Sequence, residues 1–178
     1  MNIVIVEEHF AGFGASGRNG GWLSGNFAWE HEKYLSSGTA EQVKAMVEAF
    51  HGTVDEVVAA AEMEGINADI HRTQELAIAT NAYQFQRLAP ELKRLHHWGD
   101  HRSRLESEAQ LRARIAIPSA KGALVTSGVA RVQPAKLVRG LADAVARLGV
   151  TIYEATRAHE ISKGQVITHK GRVACAVE

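Results

Sequence analysis

A glycine-rich run near the start of the sequence has the residue types that bind phosphate groups. Residues 12–21 read Gly-Phe-Gly-Ala-Ser-Gly-Arg-Asn-Gly-Gly. Small residues let backbone N–H groups approach phosphate oxygens, while Ser16 adds a hydroxyl donor and Arg18 adds charge. The first six residues also fit the dinucleotide-binding pattern G-x-G-x-x-G, which alone is a weak indication.

The context of this run does not suit that fingerprint. In the fingerprint the first glycine follows a strand at once, and an acidic residue ends a second strand about 20 residues later. Here residues 7–11 separate the strand from Gly12, and the acids at the right distance, Glu30 and Glu32, follow no strand-like run. A small NAD-binding module therefore remains only an alternative.

Glu7 offers a second interpretation of the same run. It directly follows residues 2–6, a run typical of a strand buried on both faces of a parallel sheet. A carboxylate at the tip of such a strand can accept both hydrogen bonds of a ribose hydroxyl pair. A solvated strand end would explain Glu7 alone, but the neighbouring glycine run favours a cofactor contact.

Residues 4–7 and 12–21 together resemble the second FAD-contacting segment of the D-amino-acid-oxidase-like flavoproteins. The branch they most resemble contains the γ-glutamylputrescine oxidases. Residues 133–142 are similar to the family segment that enters a helix of its FAD domain, and residues 149–156 match in order and spacing. The resemblance covers essentially the whole chain.

The resemblance implies FAD as the cofactor and a role for each part of the segment. The strand-end carboxylate would bind the adenosine ribose, the middle of the loop would line the pyrophosphate and ribityl path, and its end would approach the isoalloxazine ring. Ala158 stands where the family usually has a valine whose backbone contacts the adenine. The cofactor-binding residues predicted in this way are Glu7, Gly14, Ala15, Ser16, Gly17, Arg18, Asn19, Gly20, Gly21 and Ala158.

Helices and strands are expected to alternate along the rest of the chain. A helix should begin at a capping box formed by Thr39 and Gln42 and end near Gly65. A second helix, over about residues 81–98, should be kinked or divided by Pro90, and a third should begin at Pro134. The other expected elements are a helix at 106–112 and strands within 66–80 and at 123–132, with a break at Gly128, 150–153, 158–162, 165–169 and 172–177.

This order predicts an α/β fold, an incomplete FAD-binding Rossmann-like domain with part of an α+β substrate domain. Residues 1–65 and 131–178 are assigned to the partial FAD-binding domain, and residues 66–130 to the partial substrate or cap domain. The resembled family has a further strand and glycine-rich turn before this segment and a further half after it. We therefore expect a truncated product or half of a split flavoprotein that cannot hold FAD well alone. Its first strand is expected to pair with a chain supplying the missing sheet.

Composition limits the other partners. The chain has 20 Lys+Arg and 20 Asp+Glu, so no net charge directs it to nucleic acid or membranes. No apolar run reaches the roughly 18–20 residues of a membrane span, the first residues do not resemble a signal peptide, and the single cysteine, Cys175, excludes an internal disulfide. A cytoplasmic location is expected.

Aromatic and histidine residues near these segments have competing interpretations. Trp22 and Trp29 either pack under the glycine loop, which is favoured, or flank a flavin or substrate. His9 is interpreted as a solvent-facing loop residue. A histidine cluster at residues 96–101 could hold a metal only if its helix continued through Gly99, so no metal site is assigned.

The predicted function is FAD-dependent oxidation of a C–N bond in a small amine or amino-acid substrate. Hydride transfer is the chemistry of the flavin, so no catalytic residue is assigned within this chain. The alternatives are a non-catalytic remnant, one half of a split flavoprotein, and the NAD-binding module.

Overall fold

The computed structural model describes residues 3–27 and 30–174 of the chain. In these ranges helices and strands are interleaved, as the sequence predicts, and four strands follow one another after the last helix. Two short 3-10 helices span Ala15–Gly17 and His31–Ser36. The α-helices are α1 (Ala40–Met63), α2 (Ala82–His97), α3 (Glu108–Arg112) and α4 (Pro134–Arg147). The strands are β1 (Val4–Val6), β2 (Trp22–Leu23), β3 (His71–Ala79), β4 (Ser103–Ser107), β5 (Gly122–Arg131), β6 (Thr151–Tyr153), β7 (Ala158–Ser162), β8 (Gln165–Thr168) and β9 (Gly171–Ala174). Trp29 and Cys175 lie outside the described residues.

The chain divides into two compact units. Unit 1 contains the described residues of Met1–Gly21, Ala60–Asp69 and Val132–Glu178, and unit 2 contains those of Trp22–Ala59 and Ile70–Arg131. Residues 22–59, which the sequence assigns to the cofactor part, thus lie in unit 2. Assigning the two units to cofactor and substrate remains a prediction.

Unit 1 contains a parallel strand pair and a separate antiparallel sheet. β1 pairs with β6 in parallel, with Ile5 opposite Ile152. The strands β7, β8 and β9 form an antiparallel meander. β1 is a strand as predicted, but its expected burial on both faces is wrong, because Val4 and Ile5 are each 41% exposed. The physical reason is that β6 is the sole strand partner of β1 within the described ranges.

Unit 2 is built on an antiparallel sheet centred on β5. This strand pairs with β3 along one side and with β2 and β4 along the other. The predicted break at Gly128 is a register shift in the β3–β5 ladder, and Gly128 has the positive φ of 74° that such an irregularity requires. The central core of this unit contains Leu111, Ala120, Ala123 and Val125, with Leu76, Ile78 and Ile117 packed against it.

Helix α1 begins where the sequence predicts. Thr39 N donates to Gln42 Oε1 at 2.8 Å, and Gln42 N donates to Thr39 Oγ1 at 3.3 Å, which completes the capping box. The helix buries a stripe of small apolar side chains spaced by three, four and seven residues. These are Val43, Val47, Val54, Val58 and Ala61.

Helix α2 is continuous through Pro90. Of the two predicted effects of this proline, a kink or a division, the division is wrong. Its first turn is capped by Asn81, whose side-chain oxygen accepts a hydrogen bond from Gln84 N at 2.9 Å. Pro90 lies inside the helix and cannot donate to the carbonyl of Gln86. Both residues are exposed, so water can satisfy that carbonyl and the helix continues to His97.

The described residues therefore form a mixed α/β fold with one parallel strand pair and two antiparallel sheets. The predicted fold class is confirmed. None of the described helices is both long and apolar enough to cross a membrane.

Candidate cofactor site

Glu7 lies at the carboxyl end of the parallel pair formed by β1 and β6. Its N–H donates to Tyr153 O at 3.0 Å, and its carbonyl accepts from Thr156 N at 2.7 Å. Ligands of parallel sheets bind beyond the carboxyl ends of the strands. One carboxylate oxygen, Oε1, accepts from His9 N at 2.9 Å, whereas Oε2 accepts no hydrogen bond from the described residues. The backbone of Glu7 is thus fixed, and Oε2 remains open to a ligand hydroxyl.

Residues 8–11, which connect Glu7 to the glycine-rich loop, are bound through Glu154, the residue after β6, to α4. Ala11 N donates to Glu154 Oε1 at 2.9 Å, and Arg139 Nη1 donates to the same oxygen at 2.7 Å. The Ala11 N–H and the Arg139 guanidinium hold the pKa of Glu154 below its usual value. Ala155 N adds a bond of 2.7 Å to His9 O. These contacts fix where the loop begins.

Three loop glycines are required by packing within unit 1. A Cβ at Gly12, whose φ is +91°, would overlap the Val138 side chain on α4. A Cβ at Gly17 would overlap the carbonyl oxygen of Gly12, and one at Gly21 would overlap the carbonyl oxygen of Val132. Gly14 differs, because a Cβ there would meet no atom within 4 Å. Gly14 therefore borders open space.

Three consecutive backbone N–H groups of the loop have no hydrogen-bond partner among the described residues. Gly17 N donates to Gly14 O and Arg18 N to Ala15 O, each at 3.2 Å, which closes a turn. The N–H groups of Gly14, Ala15 and Ser16 donate to no atom in the described part of the chain. A run of unpaired amides on small residues forms an anion-binding concavity. The pyrophosphate contact predicted for these residues stays a prediction.

Arg18 is positioned by Phe13. Its Nε donates to Phe13 O at 2.6 Å, and its guanidinium carbon lies 4.4 Å from the centre of the Phe13 ring. The guanidinium is exposed, and its terminal nitrogens make no hydrogen bond or ion pair with the described residues. They are available to a ligand phosphate.

The Asn19 side chain stabilises the loop through hydrogen bonds to its backbone. Its amide nitrogen donates to Ala15 O at 3.0 Å and to Ser16 O at 3.2 Å, and its oxygen accepts from Gly21 N at 2.8 Å. Gly20, between these residues, is exposed and Gly21 is buried. The role predicted for residues 19–21, proximity to the isoalloxazine ring, stays a prediction.

Ala158 lies just beyond the same strand ends. It begins β7, opposite Thr168, two positions after the Thr156 amide that binds Glu7 O. The structure therefore groups the predicted residues 7 and 14–21 in one strand-and-loop segment, and connects Ala158 to it through the 154–158 turn. Contact of Ala158 with an adenine stays a prediction.

The dinucleotide fingerprint geometry is not formed by residues 12–17. Only the 3-10 turn Ala15–Gly17 follows the loop, and the chain then enters β2. The fingerprint needs a longer helix whose N-terminus faces the pyrophosphate. Residues 12–17 thus lack the fingerprint geometry, as their sequence context indicates.

Unit 2 contains a cavity of about 330 Å³ beside Trp22. Trp22 is 76% exposed, so the favoured interpretation that it packs under the glycine loop is wrong. The cavity walls come from β2, β3 and β5. Its lining residues are Trp22, Leu23, Ser24, Thr73, Gln74, Glu75, Leu76, Val129, Ala130 and Arg131. Sequence reasoning did not single out Arg131, because only the strand register brings it opposite Trp22.

The histidine cluster at the end of α2 does not form a helical pair. The helix ends at His97, and Gly99 has a φ of +88°, so His97 and His101 do not share a helix face. Asp100 instead accepts hydrogen bonds from Arg102 and lies 3.5 Å from His51 Nε2. Among the described residues no group of three or more His, Cys, Asp or Glu could hold a metal ion.

Comparisons with known proteins agree on one family. The family model described as DAO, FAD dependent oxidoreductase, matches residues 1–177. The chain is 28% identical over 179 residues to the gamma-glutamylputrescine oxidoreductase of Escherichia coli K12, covering 97% of this chain and 41% of that protein.

Solved structures show the same fold. Glycine oxidase from Bacillus cereus matches with a TM-score of 0.73 at 22% identity, over 98% of this chain and 48% of that one. L-Amino acid deaminase from Proteus myxofaciens matches with a TM-score of 0.74 at 17% identity, over 98% of this chain and 38% of that one. The chain spans less than half the length of each of these relatives.

Proposed function

Since the chain belongs to the DAO family of FAD-dependent oxidoreductases, we propose that its protein oxidises a C–N bond of a small amine or amino acid. The observation that carries the proposal is the Glu7 carboxylate at the carboxyl end of β1, followed along the chain by a loop whose amides at residues 14–16 have no partner among the described residues. The names of the relatives, a gamma-glutamylputrescine oxidoreductase, a glycine oxidase and an amino acid deaminase, support this substrate class.

Each described group has a distinct part in the proposal. Glu7 Oε2 accepts the ribose hydroxyl hydrogens, the amides of residues 14–16 bind the pyrophosphate, and Arg18 adds positive charge beside it. When bound, the flavin supplies the two-electron acceptor for the substrate. The residues of this chain bind and orient it, and none of them is assigned a proton-transfer step.

Replacing Glu7 with Gln tests the cofactor contact. We expect the dissociation constant for FAD to rise about 10- to 100-fold, because a hydrogen bond to a charged acceptor contributes roughly 1.5–3 kcal/mol. The amide oxygen of Gln can still accept from His9 N, so the fold is preserved. The measurement is a titration of FAD against the purified chain, followed by the quenching of flavin fluorescence.

Glu8→Gln is the matched control for this experiment. Glu8 is the adjacent residue, is exposed, and forms an ion pair with Arg157 at 3.5 Å. Its replacement removes the same charge from the same loop and should change FAD affinity less than twofold, since surface ion pairs contribute little. Equal losses of FAD affinity in both variants would contradict the proposal.

The open edge of β1 supports a further part of the proposal, that a strand from outside residues 3–174 pairs with it. Glu7 N points towards β6, so alternation along the strand directs the amide of Val6 away from β6. Unpaired strand edges with exposed apolar side chains pair readily with other strands.

Amide hydrogen exchange measures the state of this edge. In the chain alone we expect the Val6 amide to exchange at least tenfold faster than the Ile5 and Glu7 amides, which face β6. In any longer chain or complex that supplies the strand, Val6 should become protected while Ile5 and Glu7 change little. A Val6 amide already protected in the chain alone is incompatible with an open edge.

A further inference from the structure

His31 is a buried histidine at the start of the 3-10 helix His31–Ser36 in unit 2, and it is 1% exposed. Its ring stacks on two aromatic rings, with its centre 4.6 Å from that of Phe27 and 5.4 Å from that of Trp98. Trp98 is itself buried, and its Nε1 donates to Glu32 Oε1 at 3.1 Å. His31 and Glu32 therefore attach the 3-10 helix to the residue that follows α2.

Only the neutral form of His31 suits this arrangement. Arg94 Nη1 lies 2.9 Å from His31 Nδ1. A guanidinium only donates hydrogen bonds, so Nδ1 is the acceptor and the ring proton is on Nε2. An imidazolium has a proton on both nitrogens, so it could not accept this bond and would place a second positive charge beside Arg94. Nε2 is buried and has no hydrogen-bond partner among the described residues, so that side of the ring does not stabilise an imidazolium either.

The guanidinium of Arg94 is held in place by Glu91. Arg94 Nε donates to Glu91 Oε2 at 3.0 Å, and Nη2 donates to Oε1 at 2.6 Å. Such a two-point pair fixes the orientation of the guanidinium. The other titratable groups around His31 are Glu32 in its own helix, Asp100 after α2, Glu75 of β3, which lines the same cavity of about 180 Å³, and His51 of α1, which lies 3.5 Å from Asp100.

The balance of these groups opposes protonation of His31. Burial lowers the pKa of His31, and the Arg94 guanidinium lowers it further. The carboxylates of Glu32, Asp100 and Glu91 act in the opposite direction, but the pKa of His31 remains below its ordinary value. Hydrogen bonds from its own backbone amide and from Trp98 lower the pKa of Glu32, so Glu32 stays ionised where histidines titrate.

We propose that His31 is a pH-sensitive switch that holds the 3-10 helix His31–Ser36 against Trp98 at neutral pH and releases it in acid. Protonation of His31 breaks the bond from Arg94 and places two cations side by side. The 3-10 helix then leaves α2, and Trp98 becomes exposed to solvent. This switch goes beyond the proposed oxidation and does not depend on FAD.

The direction of the switch follows from the proton affinity of the two states. In the released state His31 has its ordinary pKa of about 6.5, whereas in the attached state its pKa is lower. The released state therefore binds protons more readily. Its equilibrium constant should rise by up to about tenfold per pH unit below about pH 6.5, until the pKa of the attached state is reached. Return to neutral pH should restore the attached state.

NMR of the chain between about pH 7.5 and about pH 5 tests the switch across the range in which histidines titrate. The signals to follow are the indole N–H of Trp98, the ring of His31 and the backbone amides of residues 31–36. In acid we expect the Trp98 indole N–H and these amides to lose protection from exchange. The amides that pair β3 with β5 should stay protected, because the sheet does not depend on His31.

Three variants assign the transition to the pair of His31 and Arg94. His31→Asn keeps a side-chain acceptor but cannot be protonated, so the transition should be absent. Arg94→Gln removes the adjacent positive charge and should raise the midpoint by about 1 pH unit. His97→Asn is the matched control, because His97 is exposed and its ring also contacts Trp98, with 5.1 Å between the ring centres. It should leave the midpoint unchanged.

Several results would overturn the switch. A transition that persists in His31→Asn, or that is lost in His51→Asn but not in His31→Asn, assigns it to another group. Loss of protection in β3 and β5 together with residues 31–36 shows unfolding of the whole unit. The His31 ring signals of the unaltered chain give a test that needs no variant, since a pKa at or above about 6.5 contradicts the proposal.

Discussion

Replacement of Arg102 by Met is expected to lower the free energy of unfolding of unit 2 by about 3–5 kcal/mol, the range for breaking a buried charge pair. Asp100 is 4% exposed and accepts from Arg102 Nε at 3.2 Å and Nη2 at 3.1 Å. The substitution leaves this carboxylate buried without its guanidinium. Urea unfolding, followed by tryptophan emission, measures the loss.

Arg72→Met provides the comparison for Arg102→Met. The Arg72–Asp55 pair is exposed, with 55% and 72% of the two side chains accessible, so its loss should cost no more than about 1 kcal/mol. The double variant Arg102→Met, Asp100→Asn should recover part of the stability, because it removes the uncompensated charge. Similar losses for the two arginine variants would show that Asp100 does not depend on its guanidinium.

The pKa shifts of Asp100 and His51 agree with the dependence of Asp100 on the Arg102 guanidinium. Burial alone would raise the pKa of Asp100, but the hydrogen bonds and positive charge of Arg102 bring it below its ordinary value. Burial lowers the pKa of His51, and the same guanidinium lowers it further. Arg102 thus keeps Asp100 ionised and favours a neutral His51 in one buried cluster.

The second large effect concerns two glycines of the cofactor loop. Gly17→Ala should destabilise unit 1 by about 1–3 kcal/mol, the usual cost of overpacking, because the new Cβ meets the carbonyl oxygen of Gly12. Gly14→Ala should leave stability within about 0.5 kcal/mol but weaken FAD binding at least tenfold, since its Cβ enters the space assigned to the pyrophosphate. Thermal unfolding and FAD titration of both variants measure the two effects.

Two results would contradict the roles assigned to Gly14 and Gly17. Full FAD affinity in the Gly14→Ala variant would remove the loop amides from the pyrophosphate contact. A Gly17→Ala variant as stable as the unaltered chain would show that the loop adopts another conformation. Gly12→Ala is unsuitable for separating FAD from NAD binding, because Val138 already requires glycine at that position.

Local signals in the sequence were sufficient for the elements they encode. The Thr39 and Gln42 capping box, Pro134 at the first turn of α4 and the bulge at Gly128 each depend on neighbouring residues and are found where predicted. The family resemblance likewise came from short continuous segments, residues 4–7 with 12–21, 133–142 and 149–156. These features needed no knowledge of distant contacts.

Features set by distant contacts could not be derived in this way. The exposure of β1 depends on how many strands flank it, and its own sequence indicates only that it is a strand. Trp22, His71 and Arg131 come together through the register of three strands that are far apart in sequence. The contact between His51 and Asp100 joins α1 to the loop after α2, and neither residue has a local signal for the other.

The loop glycines differ in whether packing requires them, and this difference matters when related sequences are compared. A Cβ at Gly12, Gly17 or Gly21 would overlap backbone or side-chain atoms of the protein itself. Folding alone would therefore preserve these glycines in a related protein that had lost its cofactor. Glu7 and Gly14 are under no such packing requirement. A relative that keeps the first three but carries an apolar residue at position 7 and a bulky one at position 14 is expected to fold without binding flavin. We expect those two positions, rather than the number of glycines, to separate members that bind flavin from members that do not.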